Sequence, residues 1–267
     1  MRKRVQIALA VVAVAIVSVV VWQVCRQREP VYQGKRLSVW LDDYFRIKEV
    51  RADATYESGE IAIREVGTNA LPTLLKMARA RDSKFKRKVA ELIFRKSRGS
   101  VRLHNDWEAH RKAILGFTIL GPTAASCVPS LVNSLTSDDS SVRCTAANCL
   151  GLVGPAAQNA VAALVQCLDD SDLLVCLTSA WALGQIHSQP ALVVPALLHF
   201  LDTQTRFAKR SVDWRVFSAL SQFGPEAGVA VPYILERLEK MNPQQRETAL
   251  NALNAIDHEA AAKAGVK

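Results

Sequence analysis

The chain has little of what usually announces chemistry. Its 267 residues include five histidines and six cysteines, and none stands in a ligand frame. Cys25, Cys127, Cys144, Cys149, Cys167 and Cys176 make no pair at two-residue spacing, and no histidine lies at a zinc-ligand offset from such a pair. His104, His110, His187, His199 and His258 are scattered and form no His-Glu-x-x-His frame. A Gly-x-Ser-x-Gly elbow, a Gly-x-Gly-x-x-Gly turn and a phosphate-cradling Gly-Lys-Ser/Thr loop are all missing. These absences argue against a pocket enzyme, and the sequence leads us to expect no catalytic residue, no metal and no cofactor. Aromatic residues are scarce too, at 6% against a hydrophobic share of 49%. Alanine, leucine and valine supply the apolar surface instead, which suits closely packed helices better than a sandwich of sheets. With only 12 glycines and 10 prolines, disorder is not the theme.

Acidic residues are absent from residues 1–28, which carry five Lys/Arg. Residues 76–112 carry thirteen Lys/Arg against four Asp/Glu, whereas 113–267 carry ten against thirteen. The net charge of +9 therefore describes two local segments rather than a uniformly basic protein.

Behind Met1-Arg2-Lys3-Arg4 runs an apolar stretch from Val5 to Val24, interrupted by Gln6, Ser18 and Gln23. A helix of that length spans about 30 Å, the thickness of a bilayer's hydrocarbon core. Trp22 stands at its far end, where an amphipathic ring favours the interface. No Ala-x-Ala site follows, and Cys25 lacks the small residue that a lipoprotein signal places before it, so an uncleaved anchor is expected over a cleaved signal. The cluster at residues 2–4 is denser than Arg26 and Arg28 beyond the span. This favours a cytoplasmic N-terminus and a body outside the cytoplasm. The expectation is a single-pass protein of the inner (cell) membrane with a periplasmic or extracytoplasmic body.

Residues 29–59 read as a linker followed by a capping helix opened by Ser38, with Trp40, Leu41, Tyr44 and Phe45 on one side. From about residue 60 to 267 one phrase returns. Val142-Arg143-Cys144-Thr145-Ala146-Ala147-Asn148-Cys149-Leu150-Gly151-Leu152-Val153-Gly154-Pro155 is echoed by Leu115–Pro122, Ala180–Ile186 and Phe217–Pro225. Glycines at 121, 154, 184 and 224 read as the closing residues, in steps of 33, 30 and 40. Such a period predicts stacked helical hairpins that bury their apolar faces against one another. Pro72, Pro129, Pro195 and Pro232 each precede an apolar run and open the second helix of a pair, where a missing N–H costs nothing. Units are expected at about 64–97, 110–137, 142–170, 174–202, 213–239 and 244–262, and no segment reads as a strand. The fold class is all-α: a solenoid of five to six hairpins behind an N-terminal transmembrane helix.

The segment Asp138–Gly154 resembles the short bacterial type of HEAT repeat, whose pattern is approximately Asp-x-x-x-x-Val-Arg-x-x-Ala-Ala-x-Ala-Leu-Gly-x-Ile-Gly. Tyr32–Leu41 also resembles the leader of membrane-anchored HEAT-repeat proteins. The resemblance implies an Asp–Arg ladder tying neighbouring repeats, with Asp139, Arg143, Arg215 and Arg246 in that role and an interruption at Cys176. It implies a scaffold that binds a protein partner along an extended surface of the inner helix row.

Two basic stretches are the candidate contact sites. Lys84, Lys86, Arg87, Lys88, Arg95 and Arg98 belong to the first, within 76–102; Arg206, Lys209 and Arg210 lie in the long connection Asp202–Trp214. A solvated face, an acidic protein partner or anionic lipid beside the anchor would each explain the first stretch, and nucleic acid would require a cytoplasmic body. Some HEAT-like proteins resemble bilin lyases, the enzymatic alternative, but no residue here is distinctive of that chemistry. The cysteines are expected to pack as small hydrophobes. Cys144 and Cys176, at the starts of successive helices, are the pair to test for a disulfide outside the cytoplasm. The sequence sets no oligomeric state.

Overall fold

The computed structural model describes residues 29–50, 55–81, 106–207 and 214–265, with only the backbone described for 45–50, 55–57 and 204–207. The apolar span 5–24 lies outside the described residues.

The chain opens with a feature that the sequence reading placed in a linker. Val31–Tyr32 (β1) pairs antiparallel with Lys35–Arg36 (β2). Gln33 and Gly34 join them at φ +46° and +76°. Two successive positive φ values make the tight turn that matches strand twist, and Gly34 adopts its value without steric cost. Helix α1 (Leu37–Val50) follows at once. Ser38 is not its cap: the Ser38 N–H donates to the Glu29 carboxylate, which stands in for the expected hydroxyl. Leu37, Leu41, Trp40 and Tyr44 are buried, and the Trp40 indole N–H donates to the Tyr32 carbonyl at 3.1 Å. The hairpin is thereby tied down on the helix.

The remaining helices are α2 (Thr55–Val66), α3 (Leu71–Ala78), α4 (Asp106–Leu120), α5 (Val128–Ser134), α6 (Ser140–Val153), α7 (Val161–Gln166), α8 (Leu173–Ile186), α9 (Pro190–Phe207), α10 (Trp214–Gln222), α11 (Val231–Arg237), α12 (Pro243–Ile256) and α13 (His258–Lys263). They alternate as first and second members of hairpins. The first helices α4, α6, α8, α10 and α12 pack in sequence, each on the next, and form the spine. The second helices α3, α5, α7, α9 and α11 lie along one side. In three hairpins the link is a seven-residue 3-10 segment: Gly121–Cys127, Gly154–Ala160 and Gly224–Ala230. Proline sits in the first turn of α3, α5 and α11, as its missing N–H predicts. Pro195 departs from this pattern, because α9 begins five residues earlier and carries it inside.

The period is more regular than the sequence reading allowed. Gly184 does not close a helix; it lies within α8. The closing position of that unit is His187, at φ +49° and ψ +56°. The steps 121→154 and 154→187 are then both 33 residues, and 187→224 is 37. Asx and His side chains enter the left-handed region more readily than most, so histidine tolerates this place. Gly154 is different, at φ +68° and ψ −143°, a region open almost only to glycine. Gly154→Ala is therefore expected to cost about 1–2 kcal/mol from backbone strain, although a Cβ would meet only one atom, at 3.9 Å. His187→Gly should stay within ~1 kcal/mol of neutral: relieved strain offsets the lost edge-to-face contact with Phe223, whose ring lies 5.3 Å away. Chemical denaturation of the two variants checks the contrast.

Asp139 and Asp172 each cap their own helix, accepting the amides of Ser141 and Leu174 at 2.9 Å. The described stretches Asp106–Ser134 and Ser140–Asp169 are long and apolar enough to cross a membrane, with mean hydropathies of 1.5 and 1.3. About half of each window is buried, and each is a helix, a 3-10 link and a second helix, so their apolar character serves the stack.

Candidate partner-binding surface

What holds successive hairpins together decides which faces remain for a partner. The strongest tie is Arg143, whose Nε and Nη2 donate to both carboxylate oxygens of Asp170 at 2.7 Å. Both side chains are almost buried, at 12% and 11% exposure. The guanidinium holds the Asp170 carboxyl below its ordinary value, with the amide of Asp172 adding to the effect. The ladder acid is thus Asp170 and not Asp139, which is occupied as a cap.

Arg143 also donates through Nη1 to the Ser137 carbonyl at 2.8 Å. The same place is occupied in the neighbouring units. His110 lies 2.9 Å from the Ala80 carbonyl, and the Cys176 thiol donates to the Asp170 carbonyl at 3.2 Å. Each residue holds the chain leaving the preceding second helix. Cys176 keeps this contact, but a thiol is too short to reach an acid of the next unit as Arg143 does. Arg215 sits nine residues before its closing glycine, whereas Arg143 sits eleven before Gly154, and its guanidinium lies over the Trp214 ring at 5.4 Å. Arg246 has the right register, is exposed, and makes no ion pair among the described residues.

Other ties had no sequence signal beyond their charge. Lys112, buried at 4% exposure, meets Asp42 of α1 at 2.6 Å and anchors the first helix on α4. Arg237 reaches Asp202 at 3.2 Å and joins α11 to α9. The Arg79 Nε donates to Ser134 Oγ at 2.9 Å, and its Nη2 donates to the Ser130 carbonyl, joining α3 to α5.

The central spine helices have little left to offer. Ser141 is the one exposed residue of α6, and Leu174 the one of α8. The second helices are the opposite. Pro129 and Asn133 on α5, Ala162 and Gln166 on α7, Leu192, Pro195 and His199 on α9, and Pro232, Leu235 and Glu236 on α11 are all exposed. Helices α5 and α7 contain no charged residue. A face that carries no charge loses little on desolvation and suits contact with another protein.

Lys84, Lys86, Arg87, Lys88, Arg95, Arg98, Lys209 and Arg210 are outside the described residues, and of Arg206 only the backbone, in the last turn of α9, is described. They are not brought together with the second-helix face by anything described.

The thiols are poorly placed for chemistry. Burial pushes Cys127 and Cys176 up to about 11, with Arg79 partly opposing the rise at Cys127, and burial raises Cys144, Cys149 and Cys167 as well. Cys144 and Cys176 are both free thiols: Cys144 Sγ faces Thr178 Oγ1 at 3.4 Å, and Cys176 is turned to the Asp170 carbonyl. The 33-residue register explains why they do not face each other, since it pairs Cys144 with Leu177 and Arg143 with Cys176. A thiol held near 11 carries roughly 100-fold less thiolate at pH 8 than one near 9. In a Cys25→Ser background the five described thiols should therefore label slowly with a disulfide reagent at pH 8 and quickly once the protein is unfolded; equal rates would contradict the burial. Among the described residues, no three His, Cys, Asp or Glu side chains are placed to hold a metal.

The comparisons with known proteins agree with this architecture. The family model described as HEAT repeats matches residues 128–213. This range spans α5 to the end of α9, the most regular part of the stack. No curated protein matches the chain. Among solved structures, the chain is similar to an engineered protein from structural genomics at 19% identity, with a TM-score of 0.51, covering 84% of this chain and 97% of that one. A second engineered protein is similar at 20% identity, with a TM-score of 0.42 and coverage of 86% and 71%. Kap121p is similar at 15% identity and a TM-score of 0.40, over 83% of this chain and 26% of its own. The likeness to the first of these concerns the fold: stacked helical hairpins.

Proposed function

We propose that this protein is a membrane-anchored, non-catalytic scaffold that binds a protein partner across its row of second helices. The observation that carries the reading is the uncharged and exposed centre of that row, α5 and α7, flanked by the exposed apolar residues Pro195 and Leu235. A stack of hairpins produces affinity by many modest contacts along such a face, with a few apolar anchors contributing most. The raised thiols and the separated histidines are in keeping with binding rather than catalysis. The membrane part rests on the apolar run 5–24, and the charge at residues 2–4 orients the body away from the cytoplasm.

A photocrosslinking residue at Ala162 or Leu198, in the native membrane, should capture one discrete partner. The same residue at Ser141 on the spine should not. A C-terminal reporter active only outside the cytoplasm is the expected topology result. If the crosslink appears at Ser141 and not at the second helices, the surface assignment fails; a cytoplasmic reporter signal overturns the orientation alone.

A further inference from the structure

Between α3 and α5 the second-helix row opens into a groove of about 760 Å³. One stripe of α3 and the turn before it supply one wall, with Thr68, Pro72, Leu75, Lys76 and Arg79, and the end of the 3-10 link that leads into α5 supplies the other with Ser126 and Cys127. The stripe recurs at three- and four-residue intervals, so these side chains share one helix face. Leu75 and Pro72 make the wall apolar, while Lys76 and Arg79 make it positive.

The two cations are the telling feature. Arg79 spends its donors on neutral acceptors, a serine hydroxyl and a serine carbonyl. Lys76 is exposed. Neither is paired with a carboxylate among the described residues. Further along the same row α5 and α7 are uncharged, and the acids Asp169, Asp202, Glu236 and Glu239 appear only beyond them. The row is therefore polarised, positive at α3 and neutral through its middle. Arg79 is held in place by α5, so its charge is preorganised and loses little freedom when an anion arrives.

We infer that this groove binds an acidic, partly apolar segment of the protein partner, a carboxylate meeting Lys76 and Arg79 while an aliphatic side chain lies on Pro72 and Leu75. This assignment rests on the proposed second-helix face and names the chemistry of what one end of it receives. Nucleic acid fits the groove less well. Two cations neutralise few phosphates, and no aromatic ring lines the wall for base stacking.

The test uses the full chain and a fluorescein-labelled peptide of alternating leucine and glutamate, followed by anisotropy. Binding should weaken at least 10-fold in Lys76→Glu and stay unchanged in Lys240→Glu. A matched peptide with lysine for glutamate should not bind, and a single-stranded oligonucleotide should not displace the acidic one. Undiminished binding by Lys76→Glu, equal binding of the lysine peptide, or displacement by the oligonucleotide would each overturn the inference. Circular dichroism of Lys76→Glu confirms folding, which the exposed position leads us to expect. Crosslinks at Ala162 and Leu198 that persist while the peptide result fails would leave the proposed function standing and remove only this assignment.

Discussion

Arg143→Ala is expected to lower stability by about 3 kcal/mol, because it leaves Asp170 nearly buried without its counter-charge. The magnitude sits at the lower end of the range for buried pairs, since both groups keep a little water contact. Three donors are lost together: two to the carboxylate and one to the Ser137 carbonyl. Arg143→Lys should recover only part of the loss, because an ammonium cannot reproduce the planar fork. The pair also has a pH signature. The Asp170 carboxyl is depressed in the folded state below its ordinary value of 3.8. Its contribution is therefore complete above that value and is lost as pH falls through the lower, folded one. The Asp170 hydrogen bonds raise the Arg143 guanidinium further, so it stays charged throughout this window. The stability gap between the parent and Asp170→Asn, measured by denaturant titration, should be constant from pH 5 to 8 and narrow below pH 3.8. A gap that widens on acidification would contradict the assignment.

Gly184→Ala is the second large expected effect, a loss of about 2 kcal/mol in spite of alanine's better helix propensity. A Cβ at this position would stand 2.7 Å from the Ala219 Cα and 3.0 Å from its Cβ. The obstacle is backbone, so no rotamer change relieves it, and α8 and α10 must move apart. The helical gain of about 1 kcal/mol is outweighed by overpacking of about 1–3 kcal/mol together with the contacts that the separation loosens. Gly228→Ala is the matched control, since no atom lies within 4 Å of its added Cβ. Amide hydrogen exchange should show lost protection in α8 and α10 for Gly184→Ala and none for Gly228→Ala. In a stack each unit contacts only its neighbours, so the loss should be concentrated at the weakened junction.

These two sites show where sequence reading succeeded and where it stopped. The helical hairpins were legible because Pro72, Pro129 and Pro232 mark first turns and because the Leu-Gly phrase repeats. The phrase holds two glycines with different tasks, and that was not legible. Gly151 and Gly154 stand three residues apart; the first permits helix contact and the second ends the helix. The α8 unit keeps the first as Gly184 and replaces the second by His187, so aligning Gly184 with Gly154 turned a 33-residue step into 30 and inflated the next to 40. The true insertion is four residues.

The ladder was half visible. Arg143 makes its ion pair with Asp170, whereas Asp139, the acid that the resemblance implied for the ladder, is consumed as a cap. The partner Asp170 sits 27 residues on, and its role depends on how one hairpin leans on the next. The groove cations illustrate the converse. Lys76 and Arg79 belong to the basic run, and that Arg79 is held by Ser130 and Ser134 of α5 is set by how the hairpins stack. Composition registers charge and leaves its partners unstated.

The most direct test of the central claim is site-resolved photocrosslinking along both rows of the stack in intact cells. The second-helix positions Asn133, Ala162, Leu198 and Leu235 should all capture the same protein, with the spine positions Ser141 and Leu174 silent. Capture of that protein from the spine positions, with the second helices silent, would contradict the account.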